Sequence, residues 1–127
     1  MLNDITKLIM RLGVGILMLF HGAHKIIHGI APIKQMVVSR GLPEVFAYGV
    51  YVGEVAMPIL IILGVYARVA AGVMAVNMIF AIFLAYWGSL LTLTPQGGVV
   101  FELAFIYLLV SIAISVYGSG KFAINNK

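Results

Sequence analysis

Two glutamates stand inside apolar runs of this chain, Glu54 in GVYVGEVAMP and Glu102 in GGVVFELAF. A carboxyl group in a membrane-spanning helix costs roughly 2.5–3.5 kcal/mol on insertion scales, so it faces a partner, a cavity or a proton path. His21, His24, Lys25 and His28 follow one another along the end of the first apolar run. His21 and Lys25 are i,i+4 neighbours on one helical face and repel when both are charged unless an anion lies between them. Glu54 or Glu102 is the counter-ion available. Carboxylate, imidazole and ammonium groups hold and move protons, which makes Glu54, His21 and Glu102 the candidate catalytic residues. Lys25, His24, Asn77 and Trp87 are the candidate ligand-binding residues. Asn77 sits in an otherwise apolar run, where an amide either fastens helices together or binds a ligand.

The elements that carry these groups follow from composition. Hydrophobic residues make up 63% of the 127 residues and charged residues only 9%, and the mean hydropathy is +1.13. Soluble domains average about 45–50% apolar and 25% charged residues, so the chain is an integral membrane protein. It has room for four spans of about 20 residues, read as residues 8–28, 45–64, 69–88 and 98–117. The fold class is all-α, one transmembrane four-helix bundle in a single domain. Thr94-Pro95-Gln96-Gly97-Gly98 breaks the last long apolar stretch where a helix hairpin turns. Pro32 can open a short interfacial helix with Ile33, Met36 and Val37 on one face. Small residues at Gly49 and Gly53, and at Ala67, Ala71 and Ala75, predict close helix contacts.

Depth follows from a rise of 1.5 Å per residue: Glu54 lies roughly 14 Å from the outer end of its span and Glu102 about 6 Å. His21 falls in the outer half, so an outward-facing pocket can gather these groups. Pro58 removes the backbone donor that would bond the Glu54 carbonyl, which leaves that oxygen free for a ligand. Lys7, Arg11, Arg68, Lys121 and Lys127 outnumber Lys25, Lys34 and Arg40 on the opposite side. The excess places both termini in the cytoplasm, with Arg11 and Arg68 as snorkelling anchors and Tyr48, Tyr51, Tyr86 and Trp87 as an outer aromatic belt.

Several chemistries are set aside. The eight basic residues are scattered, so no nucleic acid is expected as partner. There is no cysteine, and all three histidines sit on one span, so neither haem nor a metal is expected. Glu-x-x-His, the carboxylate di-iron signature, is missing. Gly118-Ser119-Gly120 reads as a helix-terminating turn and not as a phosphate loop.

The order of Arg11-Leu12-Gly13, His21-Gly22-x-x-Lys25, Gly41-Leu42-Pro43, Glu54, Gly64-x-x-x-Arg68, Asn77-Met78, Ala81, Glu102 and Gly118-x-Gly120 resembles the DoxX family over nearly the whole chain. The resemblance implies a four-span bundle of the prokaryotic cytoplasmic membrane. Some relatives are subunits of a thiosulfate:quinone oxidoreductase or of membrane-associated oxidoreductase complexes. It therefore implies a quinone as cofactor, and a redox partner protein as electron donor. The bilayer and a second copy of the chain are the further partners expected. Asn125 stands where the family pattern has an acidic residue. The same pocket would equally serve a small-molecule or lipid binding and transport module, or sit in a scaffold subunit of a larger complex.

Overall fold

The computed structural model describes residues 2–86, 88 and 92–125, without the side chain of Tyr86. Trp87, and with Tyr86 half of the expected aromatic belt, lies outside the described residues. Helix α1 runs Leu2–His28, α2 Ala31–Ser39, α3 Glu44–Leu63, α4 Ala67–Tyr86 and α5 Glu102–Tyr117. An antiparallel bridge pairs Leu93 with Val99 in the connection before α5. Leu2–His28, Glu44–Leu63 and Ala67–Ala85 are long and apolar enough to cross a bilayer, and α5 is equally apolar but shorter. Large apolar side chains point outward all along them, among them Phe20, Ile59, Val76 and Ile112. Helices apolar on every side belong in lipid, and the chain is a membrane protein built as a helical bundle.

Each helix ends for a local reason. Gly29 (φ 82°) returns its N–H to the Lys25 carbonyl, a left-handed C-terminal cap on α1. At the end of α3, Gly64 (φ 74°) and Val65 both donate to the Leu60 carbonyl. The start of α4 is capped from far away: the Asn125 side-chain oxygen accepts the Tyr66 N–H at 3.0 Å. An amide does this as a neutral acceptor, so the exchange of an acidic residue for Asn125 keeps the cap.

Helix α1 begins earlier than expected, at Leu2 instead of residue 8, with Asp4 in its first turn, where a carboxylate complements the helix dipole. Its buried stripe, Arg11, Val14, Gly15, Met18 and Gly22, recurs at intervals of three and four and points at α3 and α5. Helix α5 begins later than expected. Residues 98–100 turn back instead, the Val100 N–H bonding the Thr92 carbonyl and the Thr94 N–H bonding that of Gly98. Glu102 therefore opens the helix instead of lying a turn inside it.

Close packing of small residues holds the centre. Ala67, Ala70 and Ala71 are buried on α4 in one core with Met74, Met78, Tyr107 and Ile114. Gly53 meets the Asn77 side chain of α4, whereas Gly49 has open space around it, so only the second glycine of the pair makes a helix contact. A second core, Val37, Ala47, Val50 and Leu84, seats the amphipathic α2 across the ends of α3 and α4, with Pro32 in its first turn as expected. Lys34 on α2 lies 3.6 Å from Glu44 and over the Tyr48 ring. The Tyr48 hydroxyl first, and Glu44 after it, push the Lys34 pKa up. The pin therefore holds below the ordinary lysine value and is lost only as pH rises through the raised one.

Candidate functional site

Helix α3 changes its winding where it carries Glu54. A 3-10 turn, Glu44–Tyr48, passes into one α turn, then into a π segment over Val52–Ala56, and α geometry resumes at Met57–Leu63. Such single-turn π segments recur at functional sites, because the extra residue turns a side chain off the face it would otherwise share. Pro58 follows inside the next turn, and its missing N–H removes one reason for the tighter α register. The Glu54 carbonyl faces α1, where it is the nearest atom to the position a Cβ would take on Gly22. That oxygen belongs to the helix contact and not to a ligand, and any side chain at Gly22 would push α1 away from Glu54.

The Glu54 carboxylate is 3% exposed and receives a hydrogen bond from Lys25 Nζ at 2.5 Å. Lys25 continues the buried stripe of α1 one turn beyond Gly22, and its side chain stays about a quarter exposed. The pair joins a buried anion to a partly exposed cation. The Tyr51 hydroxyl, from the turn before the π segment, donates to the Lys25 carbonyl at 3.4 Å. His21 sits one turn below Lys25 and meets the Tyr107 ring of α5 edge-on, with ring centres 5.7 Å apart.

These groups border a cavity of about 280 Å³ between α1, α3, α4 and α5, roofed by Ile33 and Met36 of α2. His21, Lys25, Glu54, Asn77 and Tyr107 supply its polar groups, and the rest of its wall is almost wholly apolar, with Met18 and Met78 at its floor. The Asn77 Nδ2 is buried and has no hydrogen-bond partner among the described residues. A buried amide donor left unpaired costs about 1–3 kcal/mol. A carbonyl oxygen of a bound molecule would satisfy it.

The structure thus brings His21, Lys25, Glu54 and Asn77 together. Two expected members stand apart. Glu102 is exposed in the first turn of α5, its carboxylate against Gly98 of the preceding hairpin, while its neighbours Leu103 and Ala104 line the cavity. Starting the helix at 102 puts this side chain at the helix N-terminus, where a carboxylate is favoured. His24 is exposed on α1, outside the cavity lining, and its ring lies 4.3 Å from that of His28, tilted by 43°.

Two residues of consequence were not singled out for these roles by sequence reasoning. Tyr107 is buried in the core and in the cavity wall; the signal was a phenol in a strongly apolar helix, since a buried hydroxyl seeks a partner. Arg11 is not a snorkelling anchor. It is 1% exposed and donates to the Ile61 and Ile62 carbonyls at 3.0 Å and to those of Ser119 and Phe122 at 2.9 and 2.7 Å. It thereby closes the end of α3 and fastens the segment after α5 beneath it.

Comparison with known proteins places this arrangement. The DoxX family model matches residues 6–87, which hold α1 to α4 and with them His21, Lys25, Glu54 and Asn77. The chain belongs to the DoxX family. A relative from Haemophilus influenzae, described as an uncharacterized protein, is 33% identical over 112 residues and covers 80% of each chain. No solved structure matches. Tyr107 and the carboxyl-terminal segment held by Arg11 lie beyond the residues that the family model matches.

Proposed function

We propose that this DoxX protein is a quinone-interacting component of a redox complex in the prokaryotic cytoplasmic membrane, with both termini on the cytoplasmic side. The observation that carries the reading is the cavity's composition. An apolar chamber of about 280 Å³ holds one buried amide donor unpaired among the described residues, Asn77, and one partly buried ion pair, Glu54 with Lys25. The volume is near the lower bound of about 300 Å³ for ordinary ligand pockets, which suits a single substituted ring. A quinone ring has two carbonyl acceptors on an apolar body, and the donors present match them: Asn77 Nδ2, Lys25 Nζ and His21.

When bound, a quinone supplies a two-electron, two-proton acceptor. Asn77 and His21 hold and orient the ring oxygens, and the apolar wall excludes water. Lys25 Nζ holds a proton beside Glu54 Oε1. A proton given from it to a ring oxygen leaves the Glu54 carboxylate without its counter-ion, a cost in a low-dielectric chamber that re-protonation of Lys25 removes before the second proton is given. The partly exposed Lys25 side chain is the route by which that proton is replaced. A partner protein carrying its own redox group delivers the electrons.

The test is extraction. Protein purified gently from native membranes should yield close to one quinone per chain in the organic extract by mass spectrometry, and Asn77→Leu should yield less than a tenth as much. If wild type carried no quinone, and liposomes containing it took up a small solute in a proton-coupled manner, the cavity would belong to a transport module and the redox reading would fail.

A further inference from the structure

A second cavity lies at the opposite end of the bundle from Lys25 and Glu54, where the chain's two ends meet. It measures about 270 Å³ and is bordered by the first turns of α1, the start of α4 and the loop that follows α5. Among the described residues, Lys7, Arg68 and Lys121 face it against one carboxylate, that of Asp4, which leaves two positive charges in excess. The loop is built to admit them. Gly118 and Gly120 take φ of 84° and 78°, and a Cβ on Gly118 would strike the Arg68 guanidinium, while one on Gly120 would press on the Lys7 stem. Asp4 Oδ1 accepts the Lys121 N–H at 3.0 Å and so fixes the loop to α1. Ser119 also lines this cavity, with its buried hydroxyl unpartnered among the described residues.

We infer that this cavity binds the phosphodiester headgroup of an anionic glycerophospholipid. The charge calls for an anion, and the position selects the source. The cavity opens where helices begin and end, at headgroup depth. Tyr117 lines it with its ring exposed, the usual place of an amphipathic aromatic. Val69 and Val116, next in sequence to Arg68 and Tyr117, are exposed apolar residues along which acyl chains can lie. Basic pockets between helices at this depth recognise lipid phosphates by the same attraction. Bound there, the headgroup ties α1, α4 and the carboxyl-terminal loop together.

The experiment is native mass spectrometry of delipidated protein offered phosphatidylglycerol and phosphatidylcholine of identical acyl chains. Wild type should retain one phosphatidylglycerol. The double variant K7Q/K121Q should bind it about thirtyfold more weakly, and K121Q alone, an exposed side chain, about fivefold, from the attraction contributed by each basic residue near a headgroup. Thermal unfolding in phosphatidylcholine alone checks that each variant is folded. Equal retention of the two lipids, or no loss in either variant, overturns the inference. Displacement of phosphatidylglycerol by inorganic phosphate at equal concentration also overturns it, since the site would then take free phosphate.

Discussion

Glu54→Gln should weaken binding of a short-tailed quinone by about tenfold to a hundredfold, the range for loss of a charge-assisted hydrogen bond in a buried site. The amide keeps the shape of the side chain and can still accept from Lys25, so the bundle should fold. What it loses is the charge that fixes the Lys25 ammonium at the cavity wall and balances it when a proton moves. Glu102→Gln is the matching control. Its carboxylate rests against Gly98, outside the cavity, and the variant should bind within about twofold of wild type, as substitutions away from buried features do. Fluorescence titration of the three proteins decides the point. Equal affinities for wild type and Glu54→Gln would remove Glu54 from the site.

The second large effect is on stability. Arg11→Leu should destabilise the bundle by about 3 kcal/mol, which corresponds to a fall in Tm of roughly 10 °C. Three backbone carbonyls, at Ile62, Ser119 and Phe122, depend on this one guanidinium, and that of Ile61 shares it with the Gly64 N–H. The Ile62 carbonyl lies in the last turn of α3, where carbonyls lack a partner within the helix, and those of Ser119 and Phe122 hold the segment after α5. A leucine of similar bulk removes the cost of burying the cation but leaves those oxygens unpaired. Arg11→Lys should recover about half of the loss, because an ammonium keeps the charge without the fork that serves several acceptors at once. Thermal unfolding in detergent measures both, and a Tm for Arg11→Leu within about 2 °C of wild type would show that the carbonyls find other partners.

Apolar runs made the bundle legible, since a bilayer requires long uninterrupted ones, and small residues marked where helices touch. Glu54 was legible for the same reason, because an acid far from either end of a span stands out. Its pairing with Lys25 needed only the His21–Lys25 spacing to raise the question of a counter-ion. What stayed hidden depends on contacts distant in the chain. Arg11 near one end of a span looks like a snorkelling side chain until residues 118–124 fold back beneath it. Asn125 has no local reason to matter, and its role appears only where it caps Tyr66. Glu102 was misplaced because a hairpin took the residues that an unbroken helix would have used, and four residues of delay move a group from inside a helix to its mouth. The π segment had one cue, Pro58 four residues after Glu54, which has no N–H to give that carbonyl, but the cue could not show that Gly22 of α1 lies against it.

Photo-cross-linking bears most directly on the claim that a quinone ring sits between α1, α3, α4 and α5. A photoreactive quinone, activated on the protein in native membranes and mapped by peptide mass spectrometry, should label the stretches around His21, Asn77 and Tyr107, and excess unlabelled quinone should abolish that labelling. Label confined to lipid-facing positions such as Phe20, Val76 or Ile112, or insensitive to competition, would contradict the account.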